Sequence, residues 1–388
     1  MPNRSVDLLR LLNRPERASR EPRRRIGGLV VALAVLCSAG EAVLRVAPSL
    51  LAPEQRIALQ QARSRVPGVP DPLLGARSAP NLHQTVYTPD FEYRIDTDAQ
   101  GFPNGARPEP VDAVLLGSSS VSGMGVDTGL RFWARRGRGF PEAGFLDLGL
   151  PAAGPEQQYR VWREHAAALR PRLVVSVLWV AGDFEDAVRF EQWLAAGGRA
   201  DYDALREPQS SGVLAGLRAA LRQSYLVGRV LHAFEPSGAF AEQVETPRGT
   251  TLLLSLERQR ALAQGLVHPA APQLAQTFLE PFERLAAEVR AAGGTFLLVL
   301  LPSKEELYGA ARAPAVLRRI EAVRGQLGAL PVLDLYPALG ALDGDATFFA
   351  ADPHLNLSGH ARVADELERW LRDSGALGAA GANPPPQP

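Results

Sequence analysis

Five short apolar runs, separated by segments of helix length, constrain the fold of this chain more than any other feature. The clearest run is 172–180 (RLVVSVLWV), and the others lie at 113–116, 145–150, 295–301 and 331–335. Runs of this kind, bounded by turn residues, are typical of strands buried on both faces. Helical patterns lie at 156–169, 274–292 and 359–371. This alternation predicts an α/β fold, a three-layer α/β/α sandwich built on a parallel sheet.

A serine- and glycine-rich stretch follows the first of these runs. Residues 111–126 read VDAVLLGSSSVSGMGV, so that Gly117 ends the apolar run and Ser118, Ser119 and Ser120 come directly after it. Glycine lets the backbone turn sharply and lets another group approach closely. The carboxyl ends of parallel strands are where α/β folds place their ligands. Taken alone, the stretch also fits an ordinary loop, so both interpretations stay open at this point.

A second polar motif lies near the end of the chain. Asp352 and His354 stand two positions apart in DPHLNLSGH, just before the helical pattern that begins at about Gly359. A serine hydroxyl becomes a nucleophile when a base takes its proton, and histidine suits that role when a carboxylate orients it. The alternative is that Asp352 caps a turn and His354 binds a backbone carbonyl.

Together the two motifs resemble those of the SGNH (GDSL-type) hydrolases, whose first block reads roughly G-D-S-x-x-x-G-x-G-V. The matching positions are Gly117, Ser119, Gly123, Gly125 and Val126. The resemblance covers about 112–370 and implies a flavodoxin-like sandwich. It assigns the nucleophile to Ser119, the base to His354 and the orienting acid to Asp352. His360, just inside the last helix, is interpreted as structural.

The resemblance also implies an oxyanion hole, and here the chain departs from the family. The three donors would be the N–H of Ser119, a backbone N–H at Ala152, where relatives have glycine, and a side chain at position 182, where relatives have asparagine. Gly182 has no side-chain donor, a loss worth roughly 3 kcal/mol of transition-state stabilisation. The Ala152 N–H stays usable if the local φ is negative. Ser118 replaces the aspartate of the first block.

The resemblance, together with the membrane signal described below, implies one of two functions. The first is a serine esterase, deacylase or O-acyltransferase that acts on ester-linked acyl groups of a cell-surface glycan. The alternative is a catalytically inactive, membrane-tethered binding or scaffold protein of the same fold. The charge balance, 42 basic against 42 acidic residues, gives no electrostatic case for nucleic-acid binding. Cys37 is the only cysteine. We expect neither a metal nor a cofactor, and protein partners stay undetermined.

The N-terminus carries a membrane signal. Residues 1–25 are rich in arginine, and 26–46 are largely apolar, with Glu41 and Arg45 spaced to pair on one helix face. Arginine before an apolar span predicts a cytoplasmic N-terminus and an extracytoplasmic, periplasmic remainder. We therefore predict a single-pass signal anchor. A cleavable secretory signal ending near Ala39 is the alternative.

These observations predict five segments. Residues 1–25 are a cytoplasmic arginine-rich segment, 26–46 a transmembrane helix, 47–110 a stalk and N-terminal extension, 111–372 the hydrolase-like domain and 373–388 a disordered tail. The extension is expected to contain one strand at 91–96 (FEYRID). Residues 187–250 lack strand patterns and are predicted to form a helical insertion over the open end of the sheet, where they would set selectivity.

Overall fold

The computed structural model describes residues 20–47, 68–88, 90–134, 140–198, 241–246, 251–255, 271–309, 330–340 and 347–378, with residues 50, 66, 202, 224, 226, 227, 249 and 259. These residues form two compact units. The first unit comprises 1–59 and 217–235, and the second comprises 60–216 and 236–388. Helices near 54–65 and across 212–234, which the sequence also suggests, lie outside or almost wholly outside the described residues.

The first unit is built on helix α1 (Arg20–Val46). Glu41 in α1 accepts a hydrogen bond from Arg45 Nε at 2.8 Å, so the pairing expected from their spacing is present. The same carboxylate also accepts from the Ser224 hydroxyl at 2.8 Å and the Leu226 N–H at 3.0 Å. The predicted transmembrane segment 26–46 falls within α1. In the part of the chain that the structure describes, however, no helix is both long enough and apolar enough to cross a membrane.

The second unit is organised around a parallel five-stranded sheet. Its strands are β5 (Ala113–Gly117), β6 (Phe145–Gly149), β7 (Leu173–Trp179), β10 (Thr295–Leu301) and β11 (Val332–Asp334). They lie side by side in the order β11-β10-β7-β5-β6. Each of the five predicted apolar runs is one of these strands. Almost every residue of β5, β6, β7 and β10 is buried, because helices cover both faces.

Two helical layers complete the predicted α/β/α sandwich. One layer contains α2 (Pro155–Val161), α3 (Val180–Ala195) and α4 (Ala271–Ala291), and the other contains α5 (Lys304–Tyr308), α6 (Tyr336–Gly340) and α7 (Leu357–Ser374). Leu116 and Leu298 on one face of the sheet pack in a cluster with Phe282 of α4. Leu115 and Val299 on the opposite face pack with α7. Alternation of side chains along each strand therefore supplies two hydrophobic cores.

The N-terminal extension adds two antiparallel hairpins. The first pairs β1 (Gly68–Asp71) with β2 (Gly75–Ser78), and the second pairs β3 (His83–Tyr87) with β4 (Glu92–Asp96). The FEYRID motif is β4, as its alternating pattern indicates. The other three strands of the extension have no comparably clear pattern in the sequence.

Two further differences concern the later part of the chain. Within the predicted helical insertion, β8 (Ala241–Glu245) forms an antiparallel hairpin with β9 (Thr251–Ser255), so the expectation of no strand there is wrong for 241–245. The central part of the insertion lies largely outside the described residues. The start of the predicted tail is ordered, because Leu377 is buried in the second core cluster and the Gly378 carbonyl accepts from Arg172 at 2.6 Å.

Candidate active site

The candidate nucleophile lies on a tight turn at the carboxyl end of the central strand β5. Ser119 is 9% exposed, and the N–H groups of Val121 and Ser122 bind the Ser118 carbonyl at 3.1 Å. A Cβ at position 117 would lie 2.3 Å from the Val121 side chain, so only glycine permits this turn. The strand-to-turn geometry therefore presents Ser119 at the edge of the sheet where parallel strands end.

The structure brings together the three residues that the two motifs contributed. Ser119 Oγ lies 2.7 Å from His354 Nε2, although the two residues are 235 positions apart. His354 Nδ1 lies 2.7 Å from Asp352 Oδ1, which also accepts the His354 backbone N–H at 2.9 Å. An ionised carboxylate can only accept hydrogen bonds, so Nδ1 carries the imidazole proton and Nε2 accepts from the serine hydroxyl.

The electrostatic setting keeps Asp352 ionised. Its burial would raise the pKa of the carboxyl, but hydrogen bonds from the His354 ring and backbone, together with the positive charge of Lys304, outweigh burial and lower it. The Asp352 side chain is 23% exposed and that of His354 is 12% exposed. The serine–histidine–aspartate chain thus runs from a nearly buried hydroxyl to a carboxylate with limited contact with solvent.

The glycines of the first block allow the turn to approach its neighbours closely. Gly123 has φ +71°, and a Cβ there would lie 2.3 Å from Cδ of the buried Arg131. Gly125 has φ +93°, and a Cβ there would lie 2.5 Å from the ring of Phe349, in the segment that leads to Asp352. Both positions need a left-handed backbone and an absent side chain, which explains glycine at each.

A buried ion pair lies beneath this turn. Arg131, fully buried, donates from Nη1 to the Pro103 carbonyl at 2.9 Å and to Asp147 Oδ2 at 3.4 Å. Asp147 Oδ1 accepts the Gly149 N–H at 2.7 Å. Burial raises the pKa of Asp147 to about 7, against the opposing effects of Arg131 and that N–H. The pair ties β6 to the residues that support Ser119.

Ala152 occupies a turn at the end of β6, the strand next to β5. The Ala153 N–H binds the Leu150 carbonyl at 3.1 Å, and Ala152 has φ +58°. In the turn 150–153, proline is the second residue, and the third residue, Ala152, has a positive φ. This is the pattern of a type II turn, in which glycine is the favoured residue at the third position. The condition set from the sequence, a negative φ at Ala152, is therefore not met. Alanine holds a left-handed conformation here instead.

Gly182, where the resemblance implies an asparagine, lies in the first turn of α3. A Cβ at this position would lie 2.2 Å from Cζ3 of Trp179. The same indole ring lies 6.0 Å from the His354 ring, centroid to centroid. Any side chain at position 182 would require the ring to move. The sequence missed Trp179 as a residue next to the candidate base, because a lone tryptophan at the end of a strand is more often core.

Asp183, next to Gly182, is fully buried beside the nucleophile turn. Its Oδ2 accepts the Trp179 N–H at 2.8 Å. Burial raises the pKa of Asp183 well above its usual range, although the nearby Ser118 hydroxyl acts in the opposite direction. Within the described part of the chain, neither Ser118 Oγ nor Asp183 Oδ1 has a hydrogen-bond partner in good geometry. Burial therefore favours the neutral form of Asp183, which faces the residue before Ser119.

Two charged residues outside both motifs contact the segment that contains the candidate acid. Lys304 Nζ donates to the carbonyls of Phe349, Ala350 and Ala351. Asp90, from the N-terminal extension, accepts the N–H groups of Ala351 and Asp352. The sequence offered a weak signal for Lys304, a lysine directly after a buried strand, and none for Asp90.

Two of the other histidines that the structure describes lie outside the site. His360 is 1% exposed, its Nδ1 accepts the Phe132 N–H at 3.2 Å, and its ring stacks on Phe132, which confirms its structural interpretation. His83 pairs with Asp96 on the surface hairpin. Across the described ranges, no group of three or more histidine, cysteine or carboxylate residues is arranged to hold a metal ion.

Comparisons with known proteins add little to this geometry. No model of a known protein family matches the chain, and neither does any curated protein. Among solved structures, a lipase/acylhydrolase from Enterococcus faecalis is 14% identical, with 68% of this chain and 96% of that chain covered and a TM-score of 0.37. LAE5, an alpha/beta hydrolase enzyme from the metagenome of Lake Arreo, Spain, is 12% identical over 69% of this chain and 96% of that chain, with a TM-score of 0.34.

Proposed function

We propose that this protein is a serine hydrolase or acyltransferase that acts on ester-linked acyl groups through an acyl-enzyme. The observation that carries the proposal is the continuous chain from Ser119 Oγ through both ring nitrogens of His354 to Asp352, at 2.7 Å for each contact. Asp352 also accepts the His354 backbone N–H and so caps a local turn, but the contact between Ser119 and His354 joins residues 235 positions apart and serves no such turn. The serine stands at the strand end where α/β folds place their ligands.

The reaction follows from the protonation states. Ser119 Oγ attacks the carbonyl carbon of the ester while its proton passes to His354 Nε2. Asp352 stabilises the imidazolium that forms. His354 then gives the proton to the oxygen of the departing alcohol, and the acyl group stays on Ser119. A water or a second hydroxyl attacks this ester by the same route, which gives hydrolysis or transfer respectively.

Stabilisation of the oxyanion would depend on backbone donors in this protein. The N–H of Ser119 is one candidate, since Gly182 supplies no side-chain donor and Trp179 fills the space beside it. The N–H of Ala152 is the second although its φ is positive, because alanine itself adopts the left-handed conformation that glycine would adopt in this turn, and the backbone conformation sets the direction of the N–H. A site with one donor fewer is expected to turn over slowly. Slow turnover favours detection by covalent trapping over detection by product formation.

The test is a fluorophosphonate probe with intact-mass analysis of the wild type, Ser119→Ala and His354→Ala. We expect one adduct on the wild type and none on either variant, because both the hydroxyl and its base are needed. Folded wild-type protein that forms no adduct would overturn the enzyme proposal and favour the binding or scaffold alternative. The glycan substrate and the extracytoplasmic location stay predictions from resemblance and from the arginine-rich N-terminus.

A further inference from the structure

The segment that contains the candidate acid is a loop with little regular structure of its own. We call residues 349–352 the acid loop. A single bridge between Phe348 and Leu355 closes its ends, and the Phe349 N–H binds the His354 carbonyl at 3.2 Å. Two local hydrogen bonds join Asp352 to His354, and the rest of the acid loop is held by contacts from outside it.

Lys304 supplies contacts on the carbonyl side. Its side chain is fully buried at the start of α5, and Nζ lies 3.2 Å from the Phe349 carbonyl and 2.9 Å from those of Ala350 and Ala351. An ammonium group has three protons, and three carbonyls of one loop match all of them. A buried lysine is costly unless it is paired in this way. Its charge also favours the ionised form of Asp352.

Asp90 supplies contacts on the N–H side. Its Oδ2 accepts from the Ala351 N–H at 2.7 Å and from the Asp352 N–H at 2.5 Å. The turn between β3 and β4 fixes Asp90, because the Thr88 N–H binds the Phe91 carbonyl at 2.9 Å. The adjacent Phe91 packs its ring on Phe349, with centroids 4.1 Å apart. A hairpin of the N-terminal extension thus reaches the backbone of the candidate acid itself.

The β8–β9 hairpin adds a third support. The Leu253 N–H binds the Ala350 carbonyl at 2.8 Å, and the Glu305 carboxylate accepts the Ser255 N–H at 3.2 Å. These contacts connect the acid loop, β9 and the residue that follows Lys304. Positive charge meets the carbonyls of the loop and negative charge meets its N–H groups, which is the favourable orientation of the peptide dipoles on both sides.

We propose that Asp90 and Lys304 are positioning residues that clamp the acid loop and so hold Asp352 against His354. This inference rests on the proposed function, but it assigns a role to the N-terminal extension that the motifs do not contain. The extension would complete the site, since one of its carboxylates binds the N–H of the orienting acid.

The experiment compares Asp90→Ala, Asp90→Asn and Lys304→Met with a matched control, Asp71→Ala, in the full chain. Asp71 is also an aspartate of the extension that accepts two backbone N–H groups, those of Leu73 and Leu74 at 2.9 Å, but away from the acid loop. Three quantities are measured: the rate of fluorophosphonate labelling as a function of pH, backbone hydrogen exchange across 347–356, and the free energy of unfolding at neutral and acidic pH.

We expect Asp90→Ala and Lys304→Met to slow labelling by about 10- to 100-fold, since a misplacement of about 1 Å has effects of that size. Hydrogen exchange across 347–356 should rise in both. Asp90→Asn keeps an acceptor oxygen, so its labelling rate and its hydrogen exchange should lie between those of Asp90→Ala and the wild type. Lys304→Met should also lose less stability between neutral and acidic pH than the wild type, because it removes a charge that lowers the pKa of Asp352. Asp71→Ala should lose stability without slower labelling.

Folded Asp90→Ala and Lys304→Met with wild-type labelling rates and wild-type exchange would overturn the clamp. A loss of labelling in Asp71→Ala equal to that in Asp90→Ala would also overturn it, because stability alone would then explain the effect. If the wild type is not labelled, the proposed function fails and exchange decides the clamp by itself. Faster exchange across 347–356 in Asp90→Ala but not in Asp71→Ala would then still support it.

Discussion

The indole ring of Trp179 occupies the space that a side chain at position 182 would need. A Cβ on Gly182 would lie 2.2 Å from one ring carbon and 2.5 Å from another. The absence of a side chain at position 182 is therefore coupled to the tryptophan that ends β7. The two positions form a unit that places an aromatic ring next to His354.

Gly182→Asn is consequently expected to destabilise the protein and not to restore an oxyanion donor. Overpacking of this kind costs about 1 to 3 kcal/mol. Urea unfolding measures the cost, and fluorophosphonate labelling measures any gain. The double variant Trp179→Ala with Gly182→Asn should recover part of the lost stability, since the clash is removed. Faster labelling in Gly182→Asn at unchanged stability would contradict this coupling.

Ala152→Gly is expected to stabilise the protein. A non-glycine residue in the left-handed region costs about 1 to 2 kcal/mol, and part of that is offset by the greater freedom of glycine in the unfolded chain. We expect a gain of about 1 kcal/mol in the free energy of unfolding, with labelling of Ser119 retained. Arg170, with φ +48°, provides the control. It lies just before the start of β7, at the edge of the sheet opposite to the one where Ser119 stands. Arg170→Gly should change stability alone, and no gain in either variant would argue against strain at these turns.

Asp352→Asn is expected to slow labelling by roughly 10³- to 10⁴-fold, because the imidazole loses the partner that fixes its tautomer. The same variant tests a pH dependence. The pKa of Asp352 is lower in the folded protein than its ordinary value near 3.8. Its contribution to stability is therefore present above that value and lost as the pH falls through the folded pKa. Urea unfolding across acidic pH should show a shallower loss in Asp352→Asn, and parallel curves would contradict the assignment.

Asp183→Asn tests a pH dependence of stability that is opposite in sign to that of Asp352. The folded pKa of Asp183 is raised by burial, so the folded protein binds a proton that the unfolded chain releases above about pH 4. This group therefore lowers stability as the pH rises from there towards the folded pKa. Asp183→Asn should remove that slope and be more stable than the wild type at neutral pH. Asp373→Asn, at an exposed position, should leave the slope unchanged. A wild-type slope in Asp183→Asn would show that Asp183 is not the group responsible.

The sequence by itself predicted the sheet and the three residues that the candidate site brings together. Apolar runs such as 172–180 and 295–301 match β7 and β10, because a strand covered on both faces must be apolar at every position. The first block placed Ser119, and the late Asp-x-His placed Asp352 and His354, because turn glycines and short polar motifs encode their geometry locally. The polar extension gave a clear signal only for β4, since its hairpins are half-exposed and lack an unbroken apolar pattern.

Only the tertiary structure decided how the site is supported. The left-handed φ of Ala152, the ring of Trp179 over Gly182 and the raised pKa of Asp183 each depend on a turn, on packing or on burial that no local pattern states. Asp90 and Lys304 are 214 positions apart and meet the same loop from opposite sides. Contacts of that kind arise from packing between elements that are distant in the chain. Local sequence patterns therefore do not predict which of these residues contact each other.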